Sequence, residues 1–187
     1  LAQAWPSAGR LGTDLVATLC VDLPQTVQTP AQSFYSERGG LDHWFGVGTG
    51  NLRHVLNHEP LEQPSFEPPG PPFRVVLGES VMTASLVLLL DELLARLDTP
   101  DVGRGVLLAV PFRHQIAYRV VDGPESLPAI GRLAQFAAAG HADAVGPLSP
   151  HVYWVREGRW RQLTSLEDDT IRISIDDEVS AALGLDD

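Results

Sequence analysis

Lysine is missing from this chain; all 13 basic side chains are arginine. That excludes the phosphate-binding loop with its required lysine, Schiff-base chemistry and lysine-linked pyridoxal phosphate. Cysteine is almost missing as well. With Cys20 alone, neither an internal disulfide nor a cysteine-only zinc site can form. A single thiol in an apolar stretch reads as a small core side chain, and such usage fits a reducing compartment. Long hydrophobic runs are lacking too. A run such as Leu86 to Leu90 falls far short of the roughly 20 residues of a membrane span. Leu1 to Ser7 shows no basic segment followed by a long apolar one, so no secretory leader is expected. A cytoplasmic protein is the expectation.

What is present suffices for one core. A chain of 187 residues with 44 % hydrophobic content can bury most of its apolar surface without staples. The net charge is −11 and is unevenly placed. Between Glu167 and Asp187 stand eight acids against Arg172 alone, so this segment carries −7 and the rest −4. Such a surface repels nucleic acid and anionic membranes and attracts a basic protein. The same acids also serve simple solubility.

Asp14 to Leu23 is a β-rich run closed by Pro24. Leu41 to His58 has helical spacing, with Leu41, Trp44, Phe45, Leu52, Val55 and Leu56 on one face. Residues 59–72 hold six prolines, which predicts a surface loop. Phe73 to Leu77 reads as a strand. Ser80 to Leu97 reads as a central helix, with Ser80 as its cap and Pro100 just past its end. Gly105 to Pro111 and His114 to Val121 read as paired strands. Gly123-Pro124 opens a helix to Gly140, with Ile130, Leu133, Phe136 and Ala137 inward; Pro128 fits only its first turn. His151 to Val155 and Trp160 to Leu163 flank Glu157-Gly158 as a hairpin. Thr170 to Ile175 is a last strand, and Val179 to Leu183 a helical turn. Hairpins mixed with helices, without strict βαβ alternation, predict a single α+β domain: a mostly antiparallel sheet packed with about three helices.

Five groups of residues carry candidate chemistry. His43, His54 and His58 share one helical stripe, but only His54 and His58 are close enough to share a metal, and further ligands are few. Neither a metal nor a cofactor is expected. Gly46-Val47-Gly48-Thr49-Gly50 lacks the lysine and the third spaced glycine of a phosphate loop, so close helix packing is the better reading. Gly78-Glu79-Ser80 places a serine at a strand-to-helix turn, where it serves as a cap or, with His114 or His151 as base, as a nucleophile. Arg113 and His114 at a strand junction suit a carboxylate or phosphate and form the candidate ligand site. Arg156, Arg159 and Arg161 interleave with Tyr153, Trp154 and Trp160. Of these, Trp154, Arg159 and Trp160, with Asp176 and Asp177, are the expected partner-binding residues.

Several short motifs occur in a telling order. They are Val21-Asp22-Leu23-Pro24, Asn51-Leu52, Gly78-Glu79-Ser80 with Thr83-Ala84-Ser85, Ala109-Val110-Pro111-Phe112-Arg113-His114, Pro147-Leu148-Ser149-Pro150 and Gly158-Arg159-Trp160. From Asp14 to Leu163 the chain thereby resembles the YtpQ-like family of bacterial proteins, for which no activity is assigned. Where that family shows Pro-Asn-Arg-Asp, this chain has Pro111-Phe112-Arg113-His114, which keeps the proline and arginine only. The resemblance implies a bacterial cytosolic domain and supplies no reaction.

The expected function is therefore a non-catalytic acidic module that binds a basic protein, of accessory, chaperone-like or immunity type. The alternative is a small-molecule-binding protein or hydrolase built on Arg113 and His114, with Ser80.

Overall fold

Three stretches, Val106 to Ala109, Ile116 to Tyr118 and Val152 to Val155, are apolar at every position. A strand apolar on both faces must be covered on both. The computed structural model, which describes residues 7–65, 72–99, 102–168 and 170–185, covers them with helices on either side of one sheet.

Four short strands, β1 (Ser7–Arg10), β2 (Val16–Thr18), β3 (Val21–Leu23) and β4 (Thr26–Gln28), open the described chain and pair as two small hairpins. Helices α1 (Gln32–Ser36) and α2 (Leu41–His58) follow, then β5 (Leu61–Glu62) and β6 (Arg74–Gly78). A 3-10 helix at Thr83–Leu89 runs into α3 (Leu90–Arg96). Strands β7 (Val106–Ala109) and β8 (Gln115–Val120) precede α4 (Leu127–Asp143). Next come β9 (Val152–Arg156), β10 (Arg159–Gln162), β11 (Thr164–Glu167), β12 (Thr170–Ile173) and α5 (Asp177–Leu183). The main sheet has the order β10-β9-β7-β8-β6-β5, and every pairing in it is antiparallel. The expected α+β class and antiparallel sheet are what the chain forms.

Alternation along the strands sorts the core into two layers. Val106, Leu108, Ile116, Tyr118, Tyr153 and Val155 face α2, the 3-10 helix and α3. Leu107, Ala109, Ala117, Val152 and Trp154 face α4 and α5. Trp154 is 1 % exposed and donates its indole N–H to the Arg104 carbonyl at 3.0 Å. The expectation that Trp154 meets a partner is thus corrected. Strand period puts it in the core, while its neighbours Tyr153 and Val155 serve the opposite layer.

Helix α2 has the predicted bounds, yet Leu52 and Leu56 are its only fully buried residues. Its glycines have the packing role expected of them at one position: Leu19 Cδ2 lies 3.3 Å from where a Gly48 Cβ would sit. The predicted Ser80–Leu97 helix is corrected in its first half, which is 3-10. There the Ala84 N–H bonds to the Arg113 carbonyl at 2.9 Å rather than back along its own helix. Thr83 and Ser85 bond three residues back, the tighter 3-10 spacing. Pro100 lies outside the described residues, as do Pro68, Pro69 and Pro71 of the predicted loop. Its remainder is not wholly irregular, because Leu61–Glu62 adds the short edge strand β5. Pro128 sits in the first turn of α4, as its chemistry demands.

The C-terminal acidic segment is part of the core rather than an appendage. Val179, Ala182 and Leu183 of α5 are buried against the α4 layer, so removing the chain from Glu167 would open that layer to water. Among the described residues, no helix is long and apolar enough to cross a membrane.

Two glycine substitutions should separate close approach from helix propensity. Gly105 has φ +91°, and a Cβ there would lie 2.5 Å from Trp154 Nε1. Gly105→Ala should therefore cost about 2 kcal/mol or more in urea unfolding. Gly131, inside α4 with open space around its Cα, should instead gain about 0.5–1 kcal/mol on change to alanine. Equal effects of the two would contradict this packing.

Candidate functional site

The expected site assembles only as backbone. Gly78 and His114 face each other across the ends of β6 and β8, and the Gly78 N–H donates to the His114 carbonyl at 3.1 Å. His114 Nδ1 lies 3.1 Å from the Gly78 carbonyl. A carbonyl only accepts, so Nδ1 carries the proton and the ring is fixed as a brace between strand ends. Ser80 Oγ accepts the Met82 N–H at 3.2 Å, and the Ser80 carbonyl accepts from Thr83 Oγ1 at 2.7 Å. Ser80 thus closes a local turn. Among the described residues it makes no hydrogen bond to His114 or His151, and a nucleophile needs such a base within reach. Arg113 packs its side chain over Gly146, where a Cβ would approach Cδ and Nε to 3.2 Å. Its Nε is shielded from water and has no acceptor among the described residues.

A polar cluster with no local sequence signal lies across the sheet from it, around the start of β9. The Asp14 carboxylate accepts from Ser149 Oγ at 3.3 Å and from the Tyr153 hydroxyl at 3.1 Å. Ser149 Oγ also touches Tyr153 Oη at 2.7 Å and accepts the His151 N–H at 3.2 Å. His151 Nε2 is 3.8 Å from Asp14, and its Nδ1 is 3.4 Å from Thr164 Oγ1. Thr164 Oγ1 accepts the Val152 N–H at 2.9 Å, which leaves its own proton for Nδ1. The neutral ring then carries its hydrogen on Nε2, toward the carboxylate. Gln162 Oε1 holds the Thr13 N–H at 2.8 Å, and Gly12 lies so close to Tyr153 that a Cβ would be 2.4 Å from the ring.

This threonine–histidine–aspartate chain copies the order of a hydrolase triad without its access. Thr164, Ser149 and His151 are all buried. Burial pushes the His151 pKa down, Asp14 opposes that, and His141 adds to it. Burial likewise raises the Tyr153 phenol, and the Asp14 charge reinforces it. The groups hold residues 12–14 against β9 and β10. Their chemistry is that of a clasp.

Of the other expected partner residues, Arg159, Asp176 and Asp177 lie on the α5 side of β10, while Trp160 faces the opposite layer. Arg159 reaches Glu178 at 3.1 Å, and Arg161 reaches Glu178 at 3.2 Å and Asp176 at 3.8 Å. Asp176 caps α5 by accepting the Val179 N–H at 3.0 Å. Asp177 is exposed in the first turn of that helix. Trp160 is half-buried, edge-on to Tyr153 with ring centroids 5.5 Å apart. His54 and His58 stack at 4.1 Å, and His58 Nδ1 lies 2.9 Å from the His54 carbonyl. No group of three histidine, cysteine or acidic side chains among the described residues is placed to hold a metal. Burial, and then Asp22, raise the Cys20 thiol, which keeps it from acting as a thiolate.

No protein-family model matches this sequence, and no curated protein or solved structure is significantly similar to it.

The clasp predicts a pH dependence of known sign. Unfolded, His151 takes a proton near its ordinary value of 6.5; folded, it does so only at lower pH. Its contribution is complete above that value and is lost as pH falls toward the folded pKa. Urea unfolding from about pH 7.5 down to 5 should show this loss, at a slope of up to about 1.4 kcal/mol per pH unit. His151→Asn should flatten that slope. Parallel curves for the two proteins would refute the assignment.

Proposed function

We propose that the chain is a non-catalytic acidic module, of bacterial cytoplasmic origin, that binds a basic protein in an accessory, chaperone-like or immunity role. The observation that carries this reading is the face made by the β9–β10 turn and the start of α5. Glu157, Asp176 and Glu178 pair there with Arg159 and Arg161, and Asp177 is exposed in the first turn of α5. Three carboxylates share two guanidiniums, and the ion-paired side chains there are between 31 and 71 % exposed. Exposed pairs of this kind contribute little to folding stability. They hold arginines in place while the patch remains negative, which is a surface prepared for a cationic partner. The net charge of −11 favours the same class of partner and disfavours nucleic acid.

A second reading has one observation in its favour. The unpaired Nε of Arg113 supports a small-molecule site at Arg113 and His114, in which an anionic acceptor would satisfy that donor.

Capture experiments from a bacterial lysate separate these readings. At about 20 mM salt the wild-type chain should retain a basic protein that about 0.5 M salt releases. The double variant Asp177→Lys with Glu178→Gln should retain about tenfold less of that protein. Asp176 is left intact because it caps α5. Equal retention of one protein by both chains, at both salts, would sink the basic-partner proposal.

A further inference from the structure

Between the β1–β2 hairpin, the 3-10 helix and the main sheet lies a half-open cleft of about 270 Å³. Its walls are Leu11, Val87, Leu90, Val106, Val155 and Trp160, all of one core layer. Leu88 also lines it and is 44 % exposed, an apolar side chain left in water beside the opening. A dry apolar cavity of about 150 Å³ takes up benzene, whereas drug-sized ligands need roughly 300–1,000 Å³. The cleft therefore suits a body about the size of a phenyl ring with a short chain.

Charge at the cleft comes from one side chain. Arg156 alternates with Val155 along β9, so its guanidinium belongs to the α4–α5 side of the sheet. Glu157 is engaged by Arg159 at 3.9 Å. Asp91 differs from both. It shares the first turn of α3 with Glu92, but Arg53 holds Glu92 through two nitrogens at 2.9 and 3.0 Å. Asp91 is exposed and takes part in none of the ion pairs among the described residues. A neutral apolar molecule would gain the walls alone. An apolar anion would gain the walls but meet Asp91 as a like charge. A primary ammonium on an apolar body answers the walls and the free carboxylate together.

We propose that this cleft binds a small primary amine with an apolar body, its ammonium on Asp91 and its body against Val87, Val106 and Trp160. The site is independent of the basic-partner reading and stands or falls separately.

The test is a titration of the intact chain, followed by the Gly158 amide and Trp160 indole NMR resonances. Three probes share one phenylethyl body. At about pH 7, phenethylamine is a cation, 2-phenylethanol is neutral and 3-phenylpropionate is an anion. At about 50 mM salt the amine should move both resonances saturably, about threefold more tightly than the alcohol and about tenfold more tightly than the acid. About 0.5 M salt should remove most of that preference. Asp91→Asn should bring the amine to the affinity of the alcohol and leave the alcohol unchanged. Unchanged resonances in α4 and α5 will show that this variant keeps the fold. No saturable shift with the amine up to about 20 mM, weaker than a ligand of this size should bind in a formed site, would overturn the proposal. So would an amine no tighter than the alcohol, or a preference that survives Asp91→Asn. Cleft resonances that move on dilution of the ligand-free chain would place a second copy there and overturn it as well.

Discussion

Strand β7 is buried on both of its faces, and the molecule is organised around that constraint. Val106 and Leu108 look toward the α2 and α3 layer, and Leu107 and Ala109 toward α4 and α5. Because β8 and β9 flank it on either side, their alternation is locked to the same registers. A one-residue slip would exchange the two layers wholesale. Trp154, opposite Leu107 in the β7–β9 pairing, follows from this register, and so does the glycine at position 105 that leaves room for its indole.

Polar groups fall into two kinds with different energetic weight. Asp14, Ser149, His151, Tyr153 and Thr164 form a clasp removed from water, where each unmet hydrogen bond is costly. That clasp holds the N-terminal hairpin to the sheet edge. The arginine–carboxylate cluster of β10 and α5 is open to solvent instead. Exposed pairs of this kind contribute little to stability. The two groups meet along the β9–β10 hairpin, whose inner residues serve the clasp and core and whose outer residues carry the charge.

Much of the architecture was legible from local pattern. The bounds of α2, the β7–β8 pair, the β9–β10 hairpin and the Gly123-Pro124 opening of a helix all rest on periodicity and turn chemistry within a dozen or so residues. The candidate chemistry was legible only in part. Arg159, Asp176 and Asp177 were singled out by charge, and Arg159 and Asp176 do join one ion-pair network through Glu178 and Arg161, whereas Trp160 faces the opposite layer. The His151 clasp was invisible because Asp14 stands 135 residues from Ser149, and nothing near either one marks the other. The short helix α1, with Tyr35 at 1 % exposure, lacks the length that makes a periodic signal readable.

The sequence by itself determined which segments are helical or extended, that no lysine chemistry is available and where negative charge accumulates, because these depend on residue type and short-range spacing. Tertiary structure alone decided that Trp154 faces inward, that Ser80 and His114 brace turns and that the chain before Leu90 tightens to 3-10 geometry. Each of those outcomes depends on which distant backbone or side chain arrives to take a hydrogen bond or fill a volume, and local pattern carries no record of that meeting.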